Sequence, residues 1–403
     1  MRAHEAEIAV VGGGPAGAAV ALRLAAAGHE TVLFERLPEP RWRAAGVYTS
    51  PLTRRRLLDL GLSAERVAAL IRPVSAMVVG SADGRASCRL EYPDPAHACG
   101  VDRVRLEAAL LERARSAGVE VHEGSPVTRL EFGFGKPRVH VSGPAGRSVW
   151  RARLVVGADG PTSLVARSAG VSLPTRHFRR AGLTLHHADP AAAPPGAPME
   201  AELVVGQGWY LGIAPVPGGR QNLGLVVGEG HLRRELRRPQ GAHGVLAQAL
   251  AALPGRQRSW STSPATDELR VALPLAHRVA RSAGRDFLLV GDAAGFVDPL
   301  SGEGLQRALA SAELAAEAIS DWSVGDRAAL TRYEARLRAR FRSKDVLSWL
   351  LQAFLVNPPL AGYALANLQR RAGLRRTFSL ALADMLPASR VLDPRFLAQV
   401  LAP

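Results

Sequence analysis

Six residues near the N-terminus, Gly12-Gly13-Gly14-Pro15-Ala16-Gly17, restrict the fold of this chain more than any other stretch. Glycines at 12, 14 and 17 permit a tight turn, close approach of a diphosphate, and close packing of the following helix on the strand before it. The flanking sequence supplies that context. Residues 8–11 read as a short buried strand, residues 16–27 favour helix with Gly28 at the C-terminal cap position, and residues 31–34 read as the next strand. This is a β-α-β unit. The start of its helix offers free N–H groups and a positive dipole end to phosphate. Glu35, closing the second strand beside Arg36, carries a carboxylate that accepts hydrogen bonds from ribose hydroxyls. The unit predicts a bound dinucleotide held by Gly12, Gly14, Pro15, Ala16, Gly17, Glu35 and Arg36. It does not choose between NAD and FAD, which use the same turn.

The bulk composition narrows the class. A chain of 403 residues exceeds one average domain, so two interleaved domains, or one domain with a tail, are expected. With 47% apolar and 22% charged residues, long disordered tracts are excluded. The net charge of +15 is almost wholly arginine, since Lys136 and Lys344 are the only lysines. The arginines are scattered and not interleaved with aromatics, which favours compositional drift over a basic binding surface, and nucleic acid is not expected as a partner. Cys88 and Cys99 show no metal-site spacing, which points to a reducing compartment without structural metal. The first apolar run leads straight into the glycine loop and cannot be a signal peptide, so a cytoplasmic protein is expected. Residues 346–368 are the most apolar late stretch, but Asn357-Pro358-Pro359 interrupts them, so they make no unbroken membrane span. A peripheral contact at the inner face of the membrane stays open.

The pattern along the chain predicts an α/β fold: a Rossmann-like nucleotide domain interleaved with an antiparallel-sheet substrate domain, plus a helical C-terminal tail. Residues 1–72, 101–170 and 276–345 form the discontinuous nucleotide domain. Residues 73–100 and 171–275, read as short strands separated by turn clusters such as 189–198, form the substrate-binding sheet. Residues 346–403 are the helical segment, with an arginine face at Arg370, Arg371, Arg375 and Arg376.

Two later segments repeat the logic of a strand ending in an acid. Leu154-Val155-Val156-Gly157-Ala158-Asp159-Gly160 is followed by Ser163 and Arg167. Phe287-Leu288-Leu289-Val290-Gly291-Asp292-Ala293-Ala294-Gly295 is followed by Pro299-Leu300-Ser301-Gly302-Glu303-Gly304-Leu305, which opens a helix. The three segments, in this order and spacing, resemble the FAD-binding set of the p-hydroxybenzoate hydroxylase superfamily. The run from Gly291 to Gly304 resembles the geranylgeranyl reductase branch more than the hydroxylases, which usually carry a histidine where Gly295 stands. The similarity extends to Gly208-Trp209-Tyr210 with Pro215 and to the tail around Asn357-Pro358-Pro359.

The resemblance implies FAD as cofactor, with Asp292 on the ribityl chain and Arg103 at the ribityl-phosphate region. It also implies that Gly302 and the backbone amides of Gly304 and Leu305 face the flavin N1 and C2 carbonyl, where reduced flavin gathers negative charge. Asp159 either joins this set or only holds the turn after its strand. Tyr48, in a loop with Arg41, Arg43 and Gly46, and the pair Trp209 and Tyr210 on the opposite sheet are pocket candidates. No catalytic residue is assigned. Some reductases of this kind carry a cysteine in the loop matched by Arg43-Ala44-Ala45-Gly46, and this chain has none. His186 and His187 adjoin on a strand, so at most one ring enters a pocket.

The implied activity is reduction of a carbon–carbon double bond in a prenyl or other hydrophobic substrate by hydride from flavin N5. The alternative is a monooxygenase that hydroxylates an aromatic or polyketide substrate with NAD(P)H and O₂. A flavin halogenase ranks below both, because its loop differs over 299–304 and neither Lys136 nor Lys344 lies in a segment that can be set near the flavin. A non-catalytic lipid-binding flavoprotein also ranks below them. No second glycine fingerprint is present, so the reductant, NAD(P)H or an electron-donor protein, binds transiently.

Overall fold

The computed structural model describes residues 3–402 apart from 134, 175–178, 190–193, 195, 254–264 and 274. Half of the turn cluster expected at 189–198 therefore lies outside the described residues. Ile8, Ala9 and Val10 are fully buried, so the strand Ala3–Val11 needs cover on both faces and parallel neighbours on both sides. Thr31–Phe34 pairs with it on one side and the long strand Gly146–Gly157 on the other, both parallel. Glu120–His122 extends the sheet beyond Thr31–Phe34, and Phe287–Leu289 joins the C-terminal end of Gly146–Gly157. The N-terminal end of Gly146–Gly157 takes the antiparallel strands Arg138–Gly143 and Val127–Glu131. Helices Pro15–Ala26, Arg103–Ser116 and Gly304–Ser323 cover one face through Leu24, Leu106, Leu110, Leu309 and Ile319. Segments far apart in the chain thus build one nucleotide layer.

The second sheet runs in the order Arg270–Ala272, Arg180–Ala188, Arg220–Gly228, Trp209–Val216, Met199–Gly206, Ile71–Ser81, Ala98–Val101, Tyr48–Thr49, with Ser87–Glu91 also beside Ile71–Ser81. It is antiparallel except where Met199–Gly206 runs parallel to Ile71–Ser81. Tyr48–Thr49 pairs with Ala98–Val101, so a piece of the 1–72 segment belongs to this sheet and not to the nucleotide layer. The loop after the second strand crosses between the layers to reach it. Residues 171–275 also hold two helices, Glu229–Glu235 and Gly241–Ala251, in a region read as strands and turns. They exist because the outer face of the sheet is apolar: Leu183, Leu211, Leu223 and Leu225 need the cover that Leu232, Val245, Leu246 and Leu250 give.

The tail forms helices Ala329–Leu355, Pro358–Arg370, Ala372–Leu382 and Pro394–Leu401. The break at Asn357 is a cap: its side chain accepts from Leu360 N at 3.3 Å, and Pro358 takes the first helical position, where no N–H is needed. The tail packs on the second sheet through Val79, Cys88, Leu90, Leu347, Leu368 and Val400. The expected arginine face is divided. Arg370 and Arg376 are exposed, but Arg371 donates to Ala402 O (3.1 Å) and Arg375 to Gln369 O (2.6 Å), because uncapped helix-end carbonyls recruit them. No described helix is long and apolar enough to cross a membrane.

Candidate active site

Gly12 has φ +105°, and a Cβ on it would stand 2.5 Å from Ala158 O; on Gly17 a Cβ would stand 1.9 Å from Gly12 O. Both glycines are thus required by protein backbone alone. Gly14 differs, since a Cβ there would meet nothing within 4 Å. It precedes helix Pro15–Ala26, which no side chain caps, leaving first-turn N–H groups for an anion. Ala16 is buried in the first turn. The Glu35 carboxylate is buried and bridges the loop, accepting from Gly13 N at 2.7 Å and from Leu37 N at 3.0 Å. Each oxygen keeps a lone pair for a hydroxyl. Arg36 is exposed at the end of the strand.

The third motif is docked on the first. Gly291 (φ +57°) approaches so closely that a Cβ would lie 2.8 Å from Ala16 Cβ, and its N–H donates to Ser311 Oγ at 2.8 Å. This sets Asp292 over the start of the first helix. The Asp292 carboxyl has no hydrogen-bond partner among the described residues; burial pushes its pKa up, while Arg103 and Arg307 pull it back. Arg103 donates to Gly46 O (3.1 Å) and Glu107 (3.3 Å), and its buried Nε has no partner. Glu107 also accepts from Arg43 at 2.6 Å, which ties the 41–48 loop to this helix. Asp159 turns to its own chain: Oδ2 accepts from Leu164 N (2.6 Å) and Val165 N (3.3 Å), while the buried Oδ1 has no partner. Gly302 has φ +66°, Gly304 borders open space, and helix Gly304–Ser323 starts with no side-chain cap and with Leu305 buried. Two uncapped helix starts, an open glycine at each and a half-buried carboxyl without a hydrogen-bond partner among the described residues fit a diphosphate-linked flavin.

Beside Gly302 opens an apolar cleft of ≈ 130 Å³ between the second sheet and the tail helices. Met77, Val79, Leu203 and Val205 form its sheet side, and Leu351, Phe354, Leu365 and Phe378 its helical side. Among the described lining residues the only side-chain N–H or O–H groups are the hydroxyls of Tyr48 and Tyr92, 2.5 Å apart. Burial raises both phenol pKa values, that of Tyr92 to about 12. Tyr48 thus faces this cleft. Trp209 does not. Adjacent strand residues point to opposite faces, and Trp209 packs on the outer side against Gly206 and near Val245. Tyr210 points inward, and its buried hydroxyl donates to Asp298 Oδ1 at 2.6 Å. Asp298 also accepts from Leu300 N (2.9 Å), and burial raises its pKa. Nearby, Arg180 donates to Gly208 O (2.7 Å) and Gln352 (2.9 Å).

Lys344, not expected near the flavin loop, is buried against it. Its ammonium lies 2.5 Å from Glu303 and 2.9 Å from Asp384, and donates to Ala381 O at 2.8 Å. These contacts occupy the ammonium. Lys136 is exposed and paired with Glu5. His186 and His187 are both buried. His186 holds Asp267 at 2.6 Å and contacts Trp42, and desolvation lowers its pKa. The dyad was not legible because Asp267 is remote in sequence. Cys88 and Cys99 are buried free thiols whose pKa values burial raises to about 11 and about 12. No metal-ligand cluster occurs among the described residues.

Residues 5–344 match the family model described as an FAD binding domain. A menaquinone reductase of Mycolicibacterium smegmatis is 29% identical over 332 residues, covering 80% of this chain and 78% of the relative. Digeranylgeranylglycerophospholipid reductase 2 of Methanopyrus kandleri is 30% identical over 359 residues, covering 84% and 83%. Among solved structures, the flavin-dependent halogenase CmlS superposes with a TM-score of 0.75 at 25% identity; the match covers 84% of this chain and 63% of CmlS, under two thirds of its length. A geranylgeranyl bacteriochlorophyll reductase-like protein of Thermoplasma acidophilum shares the fold, with a TM-score of 0.78 at 20% identity, covering 97% of this chain and 100% of that one. The motifs, their convergence on one crevice and these likenesses agree: the chain belongs to the FAD-binding-domain family and is an FAD-dependent oxidoreductase built like the geranylgeranyl reductases.

Proposed function

We propose that this oxidoreductase saturates a carbon–carbon double bond in a long apolar substrate of prenyl type. One observation carries the reading: the cleft beside Gly302 offers two phenol hydroxyls and otherwise only apolar side chains. Such a lining desolvates an alkyl or isoprenoid chain without leaving buried polar groups unpaired, and it disfavours a polar aromatic acid. FAD, when bound, supplies the hydride. Gly12, Gly14, Pro15, Ala16, Gly17 and Glu35 would hold its diphosphate and ribose, with Arg36 alongside. Asp292 and Arg103 would hold its ribityl chain, and Gly302, Gly304 and Leu305 the pyrimidine edge. Asp159 holds the adjoining turn.

The residues of the chain then position the double bond, exclude water and provide a proton. The Tyr48 hydroxyl donates a hydrogen bond to the Tyr92 oxygen, so the Tyr92 O–H is the one left to donate into the cleft. Hydride at one carbon and this proton at the other balance the saturation, and solvent reprotonates the phenol. Tyr210 and Asp298 brace the turn before Gly302. The reductant, NAD(P)H or a donor protein, acts transiently.

The test is product analysis. Holoenzyme reduced with dithionite under argon, freed of excess dithionite, is mixed with prenyl quinones and polyprenyl diphosphates, and the expected product, after any quinol is reoxidised, carries two more hydrogens in its isoprenoid chain. A product formed only with O₂ and carrying a new oxygen would replace this reading with the monooxygenase.

A further inference from the structure

We infer that the C-terminal half of helix Ala329–Leu355, with the turn after it, docks on the surface of an anionic lipid bilayer. Entry of apolar substrate into the cleft from that side rests on the function proposed above; the docking does not.

The helix changes character midway. Along its first half the exposed positions include Arg332, Arg336, Arg340 and Arg342. Arg332 and Arg336 pair with Asp326 and Glu317, whereas Arg340 and Arg342 form no ion pair among the described residues. From 346 to 368 no residue is charged. The exposed positions there include Val346, Trp349, Ala353, Val356 and Leu360, spaced three or four apart, which sets the helical ones on one face; Asn357, Pro359 and Tyr363 are exposed beside them. Val346 is 48% and Val356 61% exposed, and Trp349 39%. The opposite face, through Leu347, Leu351 and Phe354, lines the cleft. A segment apolar on both faces is stable in water only if both are covered.

Charge decides what covers the outer face. The apolar stripe follows exposed Arg340 and Arg342, which form no ion pair among the described residues, and Arg370 is exposed further along the chain. An exposed apolar stripe that carries a tryptophan and follows directly on exposed arginines matches the graded polarity of a lipid headgroup region. The chain's net charge of +15 adds long-range attraction to anionic lipid. Since no described helix is long and apolar enough to span a bilayer, the contact is superficial.

Flotation of the FAD-loaded protein with vesicles tests this. It should rise with phosphatidylcholine vesicles containing a third of phosphatidylglycerol, less with pure phosphatidylcholine, and be partly released by high salt. V346S/W349S/V356S, which touches no cleft-lining residue, should lower flotation roughly tenfold or more while the flavin absorbance and melting midpoint hold. R340S/R342S should weaken binding to the anionic vesicles only. Failure of the wild type to float on either vesicle overturns the proposal. So does a wild-type dimer that the triple variant makes monomeric, because the stripe is then an interface between copies. Flotation without alkene reduction would reject the proposed activity and leave the docking intact.

Discussion

The hydroxyl of Tyr48 donates to that of Tyr92 across 2.5 Å, joining a residue of the loop after the second nucleotide strand to one beyond the strand Ser87–Glu91. The bond orients the two phenol hydroxyls on the lining of the cleft. If Tyr92 is the proton donor, Y92F should lower kcat about 10²-fold, the lower range for general acid catalysis, with KM for an apolar acceptor nearly unchanged. Y48F should give a smaller loss, because Tyr92 keeps its proton. Single-turnover rates under argon read both. Equal, small losses would make the pair structural only. Since burial keeps both phenols protonated well above neutrality, the wild-type rate should show no phenol titration below about pH 10.

Gly302 links this pair to the cofactor. Its φ of +66° is a left-handed conformation, and a Cβ on it would stand 2.5 Å from Tyr48 Cδ1. G302A must therefore move either the turn or the Tyr48 ring, besides the backbone strain of roughly 1–2 kcal/mol. The expected result is FAD affinity weakened at least tenfold in a fluorescence titration. G302A/Y48A should recover part of it, since the clash but not the strain is gone. Affinity unchanged in G302A would mean that this turn does not meet the flavin.

The parts of this site that were legible in the sequence are those dictated by backbone contact. Gly12 and Gly17 must be glycine whatever binds, because Ala158 O and Gly12 O leave no room for a Cβ, and such needs appear as motifs. The cleft was not legible: Val79, Leu203 and Phe378 come from three distant segments and look in sequence like any core residues. Trp209 and Tyr210 were grouped as pocket candidates although strand alternation separates them, and only Tyr210 faces inward. Lys344 lies at the end of the segment 276–345 read as nucleotide domain, and its burial depends on where Asp384, at φ +61°, turns the chain back.

That lysine carries a stability prediction. Glu303 and Asp384 share one buried ammonium, and removing it leaves two carboxylates to be protonated or solvated. K344M should destabilise the protein by about 3–5 kcal/mol, the range for breaking a buried pair. Adding E303Q and D384N should recover much of the loss, since no unpaired charge is left behind. Equilibrium urea unfolding measures both. A K344M variant as stable as wild type would show that the carboxyls are already neutral.

Asp298 allows a prediction in which the sign is fixed. Burial raises its pKa above the ordinary carboxylate value, although Tyr210, Leu300 N and Arg180 oppose the shift. The folded protein thus holds this proton more tightly than the unfolded chain. The resulting stabilisation is fully present below about pH 4, where the unfolded carboxyl titrates, and is lost as the pH rises through the folded pKa. D298N keeps an oxygen for Tyr210 and Leu300 N but never acquires the buried charge. The melting midpoint of D298N minus that of the wild type, both without cofactor, should therefore grow more positive between about pH 4 and 7. A difference that shrinks over this interval would mean that Arg180 outweighs burial and that the carboxylate is preferred as the ion.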